Sequence, residues 1–296
     1  MDNQKIMHVR FERIRKWIEI PLDISDECIL TAHMVSDAAS KYPEFYEKVV
    51  AIEIPEGIEE IGCYAFSRCN KLKSVKLPST IVQIGARAFS GCVSLKNIEL
   101  PESLVYIGEG AFYQCGITSI TITKNVDSVM CSAFANCFDL RRVVFDNPDT
   151  NLIESSDNDM GQFYSCHSLI SVRLPANMKR IPRGLFKRCD SLSSMSLPPL
   201  VTSIGEDAFA FCIKLVSINL DNVTYIGDYA FTKCGFHTII IHKNMETIRC
   251  GAFHESRLEK FTVKSNDTEL GYAMLRGCNY LTTVSVPNLM LKTKIF

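Results

Sequence analysis

The chain has 296 residues, 47% hydrophobic and 22% charged, enough to bury a sizeable core and far from the low-hydrophobicity, high-charge profile of disorder. Lysine and arginine (32) balance aspartate and glutamate (33), so no whole-protein field favours a nucleic acid backbone or an anionic bilayer. No apolar run reaches the ~18 residues of a membrane span, and Met1-Asp2-Asn3-Gln4-Lys5 opens no signal-peptide stretch. A cytoplasmic protein without membrane insertion is expected, the alternative being the cell surface if an upstream leader has been removed.

Residues 1–48 do not repeat. Met7, Phe11, Ile14 and Ile18 are spaced as one helical face beside Trp17, although Val9-Arg10-Phe11 also reads as a strand. Ser25-Asp26-Glu27 is placed to cap a second helix running through Met34 and Ala38-Ala39 to about Lys41, where Pro43 stops it. The region is read as a helical cap over the apolar end of the periodic stretch that begins at Val49. Glu12 and Glu19 flank the run Arg13-x-Arg15-Lys16, which therefore reads as a solvated face rather than a nucleic-acid patch.

From Val49 to about residue 290 the chain is periodic, and the unit is clearest from Ile61-Gly62-Cys63-Tyr64-Ala65-Phe66 to Leu77-Pro78. Frames begin at Ile61, Ile84, Ile107, Val129, Asn158, Ile181, Ile204, Ile226, Ile248 and Leu270, ten units with steps of 22 or 23 residues and one of 29. One unit is too small to close a core and must share it with its neighbours. Val75, Ile98, Ile120, Val143, Val172, Met195, Ile218, Ile239, Phe261 and Val284 recur in apolar-polar-apolar contexts such as Val75-Lys76-Leu77, which predicts ten strands stacked as a parallel sheet. A phenylalanine column (Phe66, Phe89, Phe112, Phe134, Phe163, Phe186, Phe209, Phe231, Phe253) forms an inner spine. Ala and Gly in Ile-Gly-x-x-Ala-Phe suit a short helical turn on the outer side.

The pattern resembles the BspA-like, or Treponema pallidum type, leucine-rich repeats, whose consensus reads roughly Ile-Gly-x-x-Ala-Phe-x-x-Cys-x-x-Leu-x-x-Ile-x-Leu-Pro. The likeness covers about residues 49–290. It implies an α/β repeat solenoid, a leucine-rich-repeat horseshoe with a concave parallel sheet and short helical or 3-10 turns outside. It also implies a binding role, since known members include adhesins, but it names no ligand.

Two departures stand out. The 29-residue step contains the insertion 146–159, from Asp146 to Asp159, with five acids and no base. It lacks the glycine and bidentate glutamate of an EF-hand, so a solvated loop is expected over a calcium loop or a partner site. The tail 291–296 leaves the tenth unit with apolar residues and no polar cap. Either it folds over the end or that end pairs with something, a homodimer being one option.

Thirteen cysteines invite a chemical reading, and twelve of them fall in two columns of the frame. Cys69, Cys92, Cys115, Cys137, Cys166, Cys189, Cys212, Cys234 and Cys278 share one, with Ser256 in the ninth unit. Cys63, Cys131 and Cys250 share another. No Cys-x-x-Cys occurs, and column mates one repeat apart do not assemble four metal ligands. Disulfides are a closer alternative, because stacked strands lie within bridging range, but free buried thiols are expected of a non-exported chain. The six histidines fall at different frame positions, Cys166-His167 being adjacent only in sequence, so no nucleophile-base pair is assembled and no enzyme or cofactor is expected.

What remains is the strand face. Its outward residues are small and polar except in the middle, where Arg142, Val144 and Arg173 neighbour Ser171, Asn97 and Glu99 near the acidic insertion. Arginine is enriched at binding hot spots, and ten strands at about 4.8 Å offer ample length for a standard interface. These six residues are the candidate site for a protein or peptide. The function expected is a non-enzymatic binding module or scaffold, the alternative being a cell-surface adhesin or host-interaction protein, with no nucleic acid as partner.

Overall fold

The computed structural model describes residues 5–14, 16–22, 28–42, 44–155, 160–287 and 295–296, and the repeat forms a parallel-strand β-solenoid of about ten coils. The chain divides into two units, Met1–Ile153 and Glu154–Phe296. A typical described coil contributes to two ladders and a run of turns.

The first ladder sits at the start of each frame and is only two residues wide. In the first unit it runs through β3 (Ile29–Leu30), Glu60–Ile61, Gln83–Ile84, Tyr106–Ile107, Ser128–Val129 and Asn151–Leu152, all parallel. In the second it runs through Arg180–Ile181, Ser203–Ile204, Tyr225–Ile226, Thr247–Ile248 and Glu269–Leu270. The β-branched Ile61, Ile84, Ile107, Ile181, Ile204, Ile226 and Ile248 are fully buried, while the residue before each stays at the surface.

The second ladder carries the longer strands. In the first unit β4 (Val49–Glu53) pairs with Ser74–Lys76, and Ser119–Ile122 pairs with Arg142–Phe145. In the second, Ser194–Met195 pairs with Ser217–Ile218, and Thr238–Ile241, Lys260–Val263 and Thr283–Ser285 stack in order. The expected run of ten strands is interrupted, for residues 97–99 form none. The side-chain alternation survives there, with Ile98 and Leu100 buried and Asn97 and Glu99 exposed. Packing keeps the period of two even where backbone pairing lapses.

The outer side differs from the helical or 3-10 turn expected of it. Successive β-turns fill it, as where Ala65, Ser67 and Cys69 donate main-chain hydrogen bonds to Gly62, Tyr64 and Phe66. The amides between point sideways, Tyr64, Phe66 and Arg68 donating to Ala86, Ala88 and Ser90 of the next coil at 2.7–2.9 Å. Tyr64 and Arg68 have φ of 60° and 65°, and the pair of left-handed positions recurs coil after coil, at Arg87 and Gly91 and at Asp207 and Phe211. A left-handed residue every fourth place cannot continue a right-handed helix, and amides spent on the neighbouring coil are lost to i−4 pairing.

Inside, the phenylalanines stack face to face. Phe66, Phe89, Phe112 and Phe134 follow one another with ring centroids 5.3–5.5 Å apart in the first unit. Phe163, Phe186, Phe209, Phe231 and Phe253 do so at 5.4–5.9 Å in the second. Every one of these rings is fully buried, a burial worth roughly 2–3 kcal/mol each.

The N-terminal segment corrects another expectation. Met7, Phe11, Ile14 and Ile18 do not form a helical face: β1 (Lys5–Phe11) and β2 (Ile18–Leu22) make an antiparallel pair, and β1 also lies antiparallel along β4. Met7, Val9 and Phe11 alternate inward, and the open edge of β4 supplies the pairing that an isolated helix would lack. The second expected helix is present as α1 (Ala32–Ser40), followed by the single turn α2 (Phe45–Lys48). Ser25-Asp26-Glu27 and Pro43 lie outside the described residues.

Candidate functional site

The strand face of the first unit holds four of the six candidate residues. Arg142 and Val144 share a strand and lie opposite Ser119 and Thr121, with Arg142 exposed and Val144 half-buried. Asn97 and Glu99 are exposed two coils before Arg142, off any strand. The Asn97 side chain lies 3.5 Å from the Thr118 hydroxyl. Beside them Lys96 pairs with Asp139 at 2.5 Å, so one of the flanking cations is already engaged.

The other two belong to the second unit, where Ser171 and Arg173 are exposed on the strand Ser171–Arg173. Further along that unit the face carries Ser194 opposite Ser217, and Thr238 in line with Lys260 and Thr283. Ile240 is 55% exposed among them, an apolar side chain in a polar row. Asn219 is exposed on the same face, but its side-chain amide is partly spent. Its side-chain oxygen accepts the Leu197 N–H at 2.6 Å, replacing a ladder bond where the adjoining strand stops.

The acidic insertion is more integrated than a solvated loop. Asn151–Leu152 adds a rung to the first ladder, and the Thr150 hydroxyl donates to the Val126 carbonyl at 2.9 Å. In the second unit Glu154 accepts the Arg183 main-chain N–H at 2.8 Å and faces the Arg180 guanidinium at 3.5 Å. Residues 156–159 lie outside the described ones. No group of three or more acidic, cysteine or histidine side chains converges as metal ligands among the described residues.

The cysteines do more than fill space. Cys92, Cys115 and Cys137 each donate an Sγ–H hydrogen bond to the carbonyl of Phe66, Phe89 and Phe112, one coil back, at 3.0–3.3 Å. In the second unit Cys189, Cys212, Cys234 and Cys278 do the same to Phe163, Phe186, Phe209 and Phe253 at 3.1–3.2 Å. Ser256 departs from this: its O–H turns to the carbonyl of Phe253 in its own coil at 2.7 Å, the same carbonyl that Cys278 reaches from the next coil. None of the thirteen cysteines is in a disulfide, and the column is buried. Burial pushes the Cys137 thiol up to about 12 and likewise raises Cys69, Cys189 and Cys234 well above the usual thiol range, so these groups stay protonated and non-nucleophilic. The sequence carried a hint in Ser256: a serine at the one column position without cysteine points to a donor, where a purely apolar site would take alanine or valine.

Two histidines face separate carboxylates, while His242 bonds the Val223 carbonyl at 2.9 Å. His167 Nδ1 lies 2.8 Å from Asp190 and His237 Nδ1 3.0 Å from Glu259, both at the surface. No helix among the described residues is long and apolar enough to cross a membrane.

A sequence model described as the BspA type leucine rich repeat region matches in six copies, over residues 44–159, 106–223 and 159–282. Among solved structures, the chain is similar to a leucine-rich repeat protein from Bacteroides ovatus, with 25% identity and a TM-score of 0.61 over 94% of this chain and 75% of that one. It is also similar to the T. pallidum leucine rich repeat protein, at 23% identity and a TM-score of 0.44 over 82% of this chain and 81% of that one. A leucine rich cell surface protein from Faecalibacterium prausnitzii matches at 20% identity and a TM-score of 0.41 over 85% of this chain and 64% of that one. No functionally curated protein matches.

Proposed function

The chain belongs to the BspA-type leucine-rich repeat family, a membership that suggests a protein-interaction or surface role, and on that premise we propose that it is a non-enzymatic module that binds a protein or peptide on its longer-strand face. The observation that carries this reading is the exposure of Arg142 beside Ser119 on a pleated surface whose inward side is fully committed to the core. On the first unit the proposed contact residues are Arg142, Val144, Asn97 and Glu99, and on the second, taken by itself, Ser171 and Arg173. Arginine suits this role because its planar guanidinium pairs with carboxylates and also stacks on flat groups.

Affinity capture from the source cell tests the proposal. A specific partner retained by the wild type and lost from Arg142→Glu and Arg173→Glu supports it; a partner equally retained by both variants moves the binding surface elsewhere. A homodimer through the C-terminal end is a separate proposal, which sedimentation velocity decides.

Family membership also supports a second reading, a surface-displayed adhesin-like protein. Fractionation of the source cell separates it from the cytoplasmic expectation: recovery with the envelope favours the surface.

A further inference from the structure

Glu12 and Lys71, 59 residues apart, form an ion pair at 2.6 Å. The pairing alters the balance of charge around the hairpin turn, where Glu12 adjoins Arg13. The hydrogen bond from Lys71, with the fields of Arg13 and Lys73 behind it, holds the Glu12 carboxyl below its usual range. That carboxylate is ionised and already occupied.

Arg13 and Lys73 have no ion-pair partner among the described residues, and the Arg10 guanidinium rests over the Trp17 ring at 5.2 Å. These three stand round an open hollow of about 540 Å³ whose apolar lining is Phe11, Ile14 and Val50. Arg13 itself sits at φ 68° in the turn closed by the Ile14 N–H on the Phe11 carbonyl at 3.1 Å. Glycine fits this angle equally well, as at Gly57 and Gly91 elsewhere in the chain.

We propose that this hollow is a docking site for an acidic peptide segment of a partner protein, whose carboxylates pair with Arg13 and Lys73 while a neighbouring apolar side chain rests on Phe11, Ile14 and Val50. A nucleic acid fits less well. Along β1 the next outward residue, His8, lies opposite Glu19 on one side and Glu53 on the other, and a continuous row of phosphates would run onto those carboxylates. A peptide places its acids only where the cations are. The site is independent of the strand-face reading and stands or falls without it.

Fluorescence anisotropy tests it with labelled ten-residue peptides that carry zero to four glutamates around one leucine, each against its glutamine counterpart. Glutamate peptides are expected to bind and glutamine peptides not, with affinity falling between 50 and 300 mM salt. Arg13→Gly and Lys73→Gln should each weaken binding at least about fivefold, whereas Lys214→Gln in the second unit should leave it unchanged. The glycine variant suits its backbone angle, so its loss of binding cannot be put down to misfolding. Equal binding of glutamate and glutamine peptides, or indifference to both substitutions, would overturn the proposal. So would tighter binding of a 20-residue single-stranded oligonucleotide, or of phosphatidylserine vesicles, than of every peptide.

Discussion

The thiol of Cys115 donates a hydrogen bond to the main-chain carbonyl of Phe89, one coil back, at 3.0 Å. That carbonyl already accepts the Cys92 N–H within its own coil, so the thiol joins adjacent coils through an acceptor shared with a turn. Cys115→Ser keeps a donor in nearly the same place, whereas Cys115→Ala removes it and leaves a small void. The expected losses are under about 1 kcal/mol for serine and roughly 1–3 kcal/mol for alanine. Urea denaturation of both variants checks the order; equal losses would reduce the thiol to a filler.

The same column makes stability depend on alkaline pH. Burial raises the Cys137 thiol from 9.0 to about 12, so between those values the unfolded chain gives up a proton that the folded chain keeps. A folded-state pKa above the unfolded one stabilises fully below about pH 9 and loses that contribution as pH rises towards 12, at up to about 1.4 kcal/mol per pH unit for each such thiol. Denaturation midpoints measured from pH 7 to 10 should be level and then fall, and Cys137→Ser should fall less steeply above 9. An identical slope in the variant would sink the linkage. In native labelling Cys63, which is exposed, should react first, and the buried column only on unfolding.

Gly116 follows Cys115 in a 22-residue coil, and a Cβ there would come within 2.2 Å of the Val93 carbonyl oxygen. The neighbour is backbone and cannot swing aside. Gly116→Ala should therefore cost on the order of 2–4 kcal/mol, an unusually large effect for one methyl group. A thermal midpoint within a degree of wild type would show that the coils separate more easily than this contact implies.

The Glu154 carboxylate holds the Arg183 main-chain N–H at the start of the turn run that follows Ile181. Glu154→Ala should cost about 1 kcal/mol and Glu154→Gln clearly less, since the amide oxygen can still accept. Hydrogen exchange at Arg183 gives the local readout; an unprotected amide in the wild type would contradict the bond.

The frame was legible because stacking gives every coil the same surroundings, so Phe66, Phe89 and Phe112 repeat for one reason and announce it together. The outward placement of Arg142, Ser171 and Arg173 followed from the period of two. The turns were not legible. Their left-handed positions are filled by Tyr64, Arg68, Asp207 and Lys233 as readily as by glycine, so nothing in the residue type marks the sign of φ. The N-terminal hairpin was hidden because Met7, Phe11, Ile14 and Ile18 satisfy a helical spacing, and only the vacant edge of β4, a tertiary fact, decides for strands. The lapse at Asn97 and Glu99 and the diversion of Asn219 depend on backbone bonds that leave no trace in composition. The pairing of Glu12 with Lys71 joins positions no local pattern connects.

Because amides such as those of Phe66 and Phe89 reach sideways to the coil ahead, the joint between coils is made largely of main chain, and any coil offers the same donors and acceptors as any other. A gene encoding such a chain can gain or lose a whole coil and still present matching faces at the seam. Small changes in length are confined to the stretch between the cysteine and the strand or just beyond the strand, where Gly116 and Gly235 already absorb a missing residue. The molecule is thus adjustable in reach by whole steps, with the outward rows of its strands carried along unaltered.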